Sequence, residues 1–154
     1  MSFSNDKTTW TTVNYATSYA WTLSSGDGQR TVYVKYTDST GDKTPDGYEI
    51  KASIWVLPSA PTGLSSSYAG GMITLNWTDN STSTATVYDV WRWDDKSGLS
   101  TYTKQTTVSK KAGNPQMFID STGIKSKTNY SYIVYARNGG GQSLVSNRTY
   151  ITTP

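Results

Sequence analysis

The sequence predicts an all-β chain of two tandem β-sandwich units, the first of them incomplete. Three observations carry this. Apolar residues alternate with polar ones over short runs and never recur at helical spacing for long. The aromatic side chains are 12 Tyr and 6 Trp against only 2 Phe, set among Ser, Thr, Gly and Asn, a mixture that suits half-buried strands joined by turns. Finally, LPSAPTGL at 57–64 carries two prolines that no paired central strand accepts, so it reads as an extended connector between a unit at 1–57 and a unit at 58–154.

In the first unit, Trp21 and Leu23 share one phase. Gly26, Asp27 and Gly28 supply a turn, and Val32, Val34 and Tyr36 share the inward phase of the next strand, which together predict a hairpin. In the second unit an extended opening at 60–65 is followed by 72–77, where Ile73, Leu75 and Trp77 alternate with Thr74 and Asn76. Residues 88–92 form the next strand, with Tyr88 and Val90 in phase. Residues 101–108 and 116–119 follow. Over 128–137, Tyr130, Tyr132, Val134 and Ala136 share a face, and 146–152 closes the unit. Seven short strands at this spacing predict an immunoglobulin-like sandwich with Leu75, Trp77, Tyr88, Val90, Ile124, Tyr132 and Val134 in its core.

On these residues the second unit resembles a fibronectin type III domain from end to end: PTGL, ITLNW, YDVWR, IKSKTNYSYIVYARNGGGQS and a final strand fall in order. The resemblance implies that Trp77 fills the core, and that Ile124 and Tyr130 build a tyrosine corner. It implies nothing definite about partners, because the fold hosts many. The GGGQS turn carries no Arg-Gly-Asp.

The first unit resembles the C-terminal part of an immunoglobulin-like repeat of bacterial surface proteins. Residues 1–6, Trp10, 15–18, 21–28 and 32–38 carry the likeness. In that pattern further strands precede the position of Met1. The expectation is therefore a strand through Met1 and Phe3, reaching towards Trp10, whose sheet partners are absent, leaving an edge that another chain can pair with.

Chemistry-bearing residues are scarce. The chain has no His and no Cys, which removes imidazole and thiol catalysis, disulfides and the usual zinc ligands. Glu49 is the only Glu, and Asp94 and Asp95, being adjacent, would point to opposite faces of a strand. The expectation is that the chain is not an enzyme and uses no cofactor. Asp38, Asp42 and Asp46 cluster in one loop and raise the question of Ca²⁺, although Asp is a common turn residue and the spacing is not that of an EF-hand. A net charge of +3 with scattered Lys and Arg gives no nucleic-acid platform, and no apolar run approaches the length of a membrane helix.

If Tyr88 and Val90 face inward, Trp91 and Trp93 face outward beside Tyr102. That surface suits a carbohydrate ring or a protein partner, and equally suits packing under the loop at 96–100. Three roles follow: an extracellular structural module, a filament subunit whose first unit is completed by a strand donated from another copy, with 53–64 and 150–154 as the segments best placed to donate; a carbohydrate-binding or adhesive module; or a passive spacer of a bacterial cell-surface protein.

Overall fold

The computed structural model describes residues 1–84 and 86–154. The first unit is a single four-stranded antiparallel sheet. Its strands β1 (Ser2–Ser4), β2 (Thr11–Thr12), β3 (Gly28–Lys35) and β4 (Ile50–Val56) lie in the order β2-β1-β3-β4. Its two faces differ in chemistry. Cross-strand partners place Phe3, Val32, Val34, Ile50, Ala52 and Ile54 on one face, and Ser2, Ser4, Tyr33, Lys35, Lys51 and Ser53 on the other. Phe3 is buried because the rings of Tyr19 and Trp21 stack on it at 5.1 and 5.2 Å.

The expected hairpin between Trp21–Leu23 and the 32–36 strand does not form. Phe3 of β1 already occupies the ladder position beside Val34, and β4 takes the other side of β3. Trp21 is instead bound through its ring to Phe3, and its Nε1–H donates to Asn5 Oδ1 at 2.8 Å.

The second unit is a two-sheet sandwich made of β5 (Thr62–Ala69), β6 (Met72–Thr78), β7 (Val87–Asp94), β8 (Thr103–Ser109), β9 (Gln116–Asp120), β10 (Asn129–Asn138), β11 (Gly141–Gln142) and β12 (Thr149–Thr152). One sheet runs β5-β6-β9. The other runs β11-β10-β7-β8, with β12 also on β10. The last strand was expected to be continuous from 146 but is split. Ser143 and Ser146 each donate a backbone N–H to β10, to Ala136 O at 2.8 Å and Val134 O at 2.9 Å, and accept the returning N–H on the hydroxyl. Leu144 and Val145 are thereby thrust outward.

Between the sheets lie Ile73, Leu75, Trp77, Tyr88, Val90, Tyr132, Val134 and Ala136, all fully buried. Ile124 was expected among them and packs at their rim, partly buried. The tyrosine corner forms: the Tyr130 hydroxyl accepts the Lys125 N–H at 2.7 Å.

Two contacts join the units. Asp27, held out between Gly26 and Gly28, accepts the backbone N–H of Thr82 and Ser83 on Oδ1 at 2.6 and 2.8 Å, together with the Thr82 hydroxyl. Gly28 lies at φ +92 with Ser83 against it, so a side chain would be strained there as well as crowded. At the other contact Trp55 lies over the Gly139–Gly140 turn, and Asn138 Nδ2 donates to Val56 O at 2.8 Å. A methyl at Gly140 would stand 2.4 Å from Trp55 Cβ, well inside van der Waals contact. Gly140→Ala should therefore expel Trp55 and loosen the joint without unfolding the sandwich. Small-angle scattering should show a larger radius of gyration while the main thermal transition stays in place. An unchanged radius would contradict the joint described here.

Candidate functional site

Two surfaces stand out, one on each unit. On the second unit, β7 faces both ways. Its inward residues Tyr88 and Val90 fill the core, while Asp89, Trp91 and Trp93 face outward opposite Tyr135, Ile133 and Ser131 of β10. The bulge that could have reversed this phase falls on β8, where Gln105 is the extra residue between the partners of Val90 and Trp91. Trp91 and Trp93 are accordingly half-buried where Trp77 is fully buried. Tyr150 of β12 lies opposite Ser131, and extends the same face.

Tyr102, just before β8, lies across this face and hydrogen-bonds to the Ser131 hydroxyl. It forms a ridge between shallow grooves. One is lined by Tyr102, Ile133, Tyr135, Val145, Arg148 and Tyr150. Another is lined by Trp91, Tyr102, Ile133, Tyr135 and Gln142. Trp91 meets Tyr135 edge-on at 6.5 Å. Trp93 has its Nε1–H donated to Leu99 O at 2.7 Å, so the 96–100 loop orients it, and it lines a third groove with Tyr102, Arg148 and Tyr150. The structure thus brings Trp91, Trp93 and Tyr102 to one face and adds Ile133, Tyr135, Arg148 and Tyr150. The outward positions of β10 could have been read from the alternation of Tyr130, Tyr132 and Val134. Arg148 and Tyr150 could not, because the break at Ser143 and Ser146 interrupts the phase.

Charge on this face is concentrated at Asp89, which takes Lys104 Nζ at 2.8 Å, Arg137 Nε at 3.0 Å and the Thr107 hydroxyl at 2.7 Å. Burial pushes the Asp89 carboxyl up, and the Arg137, Lys104 and Thr107 hydrogen bonds more than reverse it, to about 2. Asp27 follows the same logic: burial raises it, and the Thr82 and Ser83 hydrogen bonds hold it below the usual carboxylate range. A depressed folded pKa gives stability that is complete above the unfolded value of about 3.9 and is lost as pH falls through the folded one. The melting temperature should hold from neutral pH to about 4 and then fall towards about 2. Asp89→Asn should flatten that acid limb, and an unchanged slope would show that Asp89 does not contribute to it.

On the first unit, Phe3 pairs with Thr11 on one side and Val34 on the other, and the Met1 ammonium donates to Val13 O at 3.0 Å. The strand at Met1 and Phe3 is therefore flanked, contrary to the expectation that its sheet partners are absent. Trp10 lies on the polar face, over the Lys35 ammonium at 4.4 Å. Of the two edge strands, β2 and β4, β4 is the longer; among the described residues it pairs with β3 alone and is open over Ile50–Ile54, short of the Val56 bond to Asn138. On the apolar face beside that edge, Ile50 and Ile54 are 59% and 55% exposed, so the cover over Phe3 stops short of β4.

The Asp38–Asp46 loop does not converge on an ion. Asp38 Oδ1 accepts the Thr40 and Asp42 N–H groups, both at 2.9 Å, and Asp46 pairs with Lys35. No group of three or more potential metal ligands occurs among the described residues.

No protein-family model and no curated protein matches the chain. Solved structures do match. An Fn3-like protein from Clostridium thermocellum is 29% identical, over 63% of this chain and 94% of its own, with a TM-score of 0.48. The structure of FN3tt is 22% identical, over 64% of this chain and 96% of its own, with a TM-score of 0.50. Domains A168–A170 of titin superpose on 99% of this chain at 13% identity and a TM-score of 0.55, and the chain spans about half of that fragment, 53%. The last two likenesses show the fold: the chain is all-β, with a fibronectin type III fold in its second unit.

Proposed function

We propose that the chain is a non-catalytic structural module of an extracellular or cell-surface assembly, and that another copy of the chain completes the sheet of its first unit along β4. The likeness of the first unit to bacterial surface-protein repeats supports this setting. The observation that carries the assembly is the coincidence of an open backbone edge with an uncovered apolar face at Ile50, Ala52 and Ile54. An open edge offers a row of unpaired N–H and C=O groups to another strand. The two segments best placed to be donated, 53–64 and 150–154, are already engaged, the first through β4 with β3 and the second through β12 with β10. Association therefore adds edge to edge and exchanges nothing. An antiparallel β4 pair centred on Ala52 sets Ile50 against Ile54 and leaves Val56 to its bond with Asn138, which continues both apolar faces into one. Repetition of such contacts at further edges would extend the pair into a filament.

Sedimentation velocity over a wide concentration range tests this. The chain should shift to larger species as concentration rises, and Ile54→Lys, which puts a charge beside the edge, should hold it monomeric. A chain that stays monomeric at the highest concentration attainable would refute the proposal.

A further inference from the structure

The outer face of the second unit, apart from the β4 edge, sets exposed rings beside charged and polar groups. Around Tyr102 the floor of the grooves is made of ring faces and Ile133, while the rims end in polar groups: the Gln142 amide, the Arg148 guanidinium and tyrosine hydroxyls. An aliphatic or aromatic side chain of a protein partner needs a deep, dry pocket to bind well, and these grooves are open and wet. A sugar ring has the opposite requirement. It lays its C–H face on an aromatic ring and keeps its hydroxyls in water, which is what an aromatic side chain with a polar tip accommodates.

The charge of the face narrows the class. Lys104 and Arg137 both engage Asp89, whereas Arg148 has no carboxylate partner among the described residues. Its guanidinium is positioned against the Tyr102 ring at 5.3 Å and the Tyr150 ring at 6.0 Å, with Nη1 donating to the Tyr150 hydroxyl at 3.3 Å. A guanidinium oriented by two rings keeps the rest of its donor fork free for a planar anion. In the adjoining groove the Trp91 ring stands edge-on to Tyr135 at 6.5 Å and adds a further aromatic surface. Asp95, the other carboxylate at the end of this face, is bound to Asn129, so Arg148 is the cation here that a ligand anion can meet.

We infer that the grooves on either side of Tyr102, between Arg148 and Trp91, bind an acidic saccharide, with sugar rings stacked on Tyr102, Tyr135 and Tyr150 and a sugar carboxylate on Arg148. The test is an NMR titration of the full chain with tetragalacturonate, with cellotetraose as the neutral sugar and tetraglutamate as the acidic peptide. Tetragalacturonate should shift the amides of Tyr102, Ile133, Tyr135, Gln142, Arg148 and Tyr150. Arg148→Gln should weaken that binding by roughly tenfold or more while leaving any cellotetraose binding as it was. Tyr102→Ala should weaken binding of both sugars by at least roughly fivefold. Both residues lie at the surface, so an unperturbed spectrum elsewhere confirms that each variant is folded. The inference is overturned if tetragalacturonate shifts none of these amides or shifts only amides elsewhere. It is equally overturned if tetraglutamate binds the same residues as tightly, which would make the face a peptide or general anion surface.

Discussion

Trp77→Ala should cost the second unit about 3–5 kcal/mol, the largest single loss expected in this chain. Trp77 sits on β6, where neighbouring Thr74 and Asn76 face the other way, and its ring is 0% exposed between the two sheets. It meets Tyr88 edge-on at 5.3 Å, a contact that ties β6 of one sheet to β7 of the other. Truncation removes the area that holds the sheets together and leaves a cavity that strands paired on both sides cannot close. Trp77→Phe should cost far less. The Trp77 indole N–H is buried without a partner, so losing it removes a desolvation penalty along with the volume. Urea unfolding of both variants measures this, and an alanine variant as stable as the parent would show that the core is not centred on Trp77.

Asp120→Ala should be nearly as damaging, about 3–5 kcal/mol, for a different reason. Asp120 closes β9 and is 2% exposed, with Oδ2 accepting both Arg92 Nη1 and the Tyr132 hydroxyl at 2.9 Å. Arg92 comes from β7 and Tyr132 from β10, so this one carboxylate clamps the edge of the smaller sheet to the larger. Removing it leaves the fully buried Tyr132 hydroxyl without its acceptor and a largely buried guanidinium with its charge unpaired and only the Thr122 carbonyl to receive Nη1. Asp120→Asn keeps an acceptor oxygen and should recover part of the loss in the same unfolding experiment. If Asp120→Ala unfolded at the same urea concentration as the parent, the clamp would have no energetic role.

The sandwich was legible in the sequence because its two environments differ. Where one side of a strand is dry and the other wet, as at Ile73–Trp77 and Tyr130–Ala136, the phase is written in the residue types. The same signal failed at Trp21 and Leu23. Stacking of Trp21 on Phe3 rewards an aromatic residue as a core strand position does, but forms no ladder. The joint was illegible for another reason. Asp27 and Thr82 are 55 residues apart, and a carboxylate that accepts backbone N–H groups leaves no pattern in the partner's side chains. On the aromatic face, strand phase placed Trp91 and Trp93 outward, and tertiary contacts set them on different sides of Tyr102, Trp91 beside Tyr135 and Trp93 beside Tyr150 with its N–H on Leu99.

The edge at β4 was missed because residues 50–56 lie beside the connector, and their alternation resembles that of a strand paired on both sides. Hydrogen exchange along Ile50–Ile54 tests the openness of this edge most directly. The β4 amides that bond to β3 should be protected at every concentration. Those pointing away from β3 should exchange freely in dilute solution and become protected as concentration rises, and Ile54→Lys should abolish that gain. Outward amides that stay unprotected at all concentrations, or are already protected in a demonstrably monomeric chain, would contradict it.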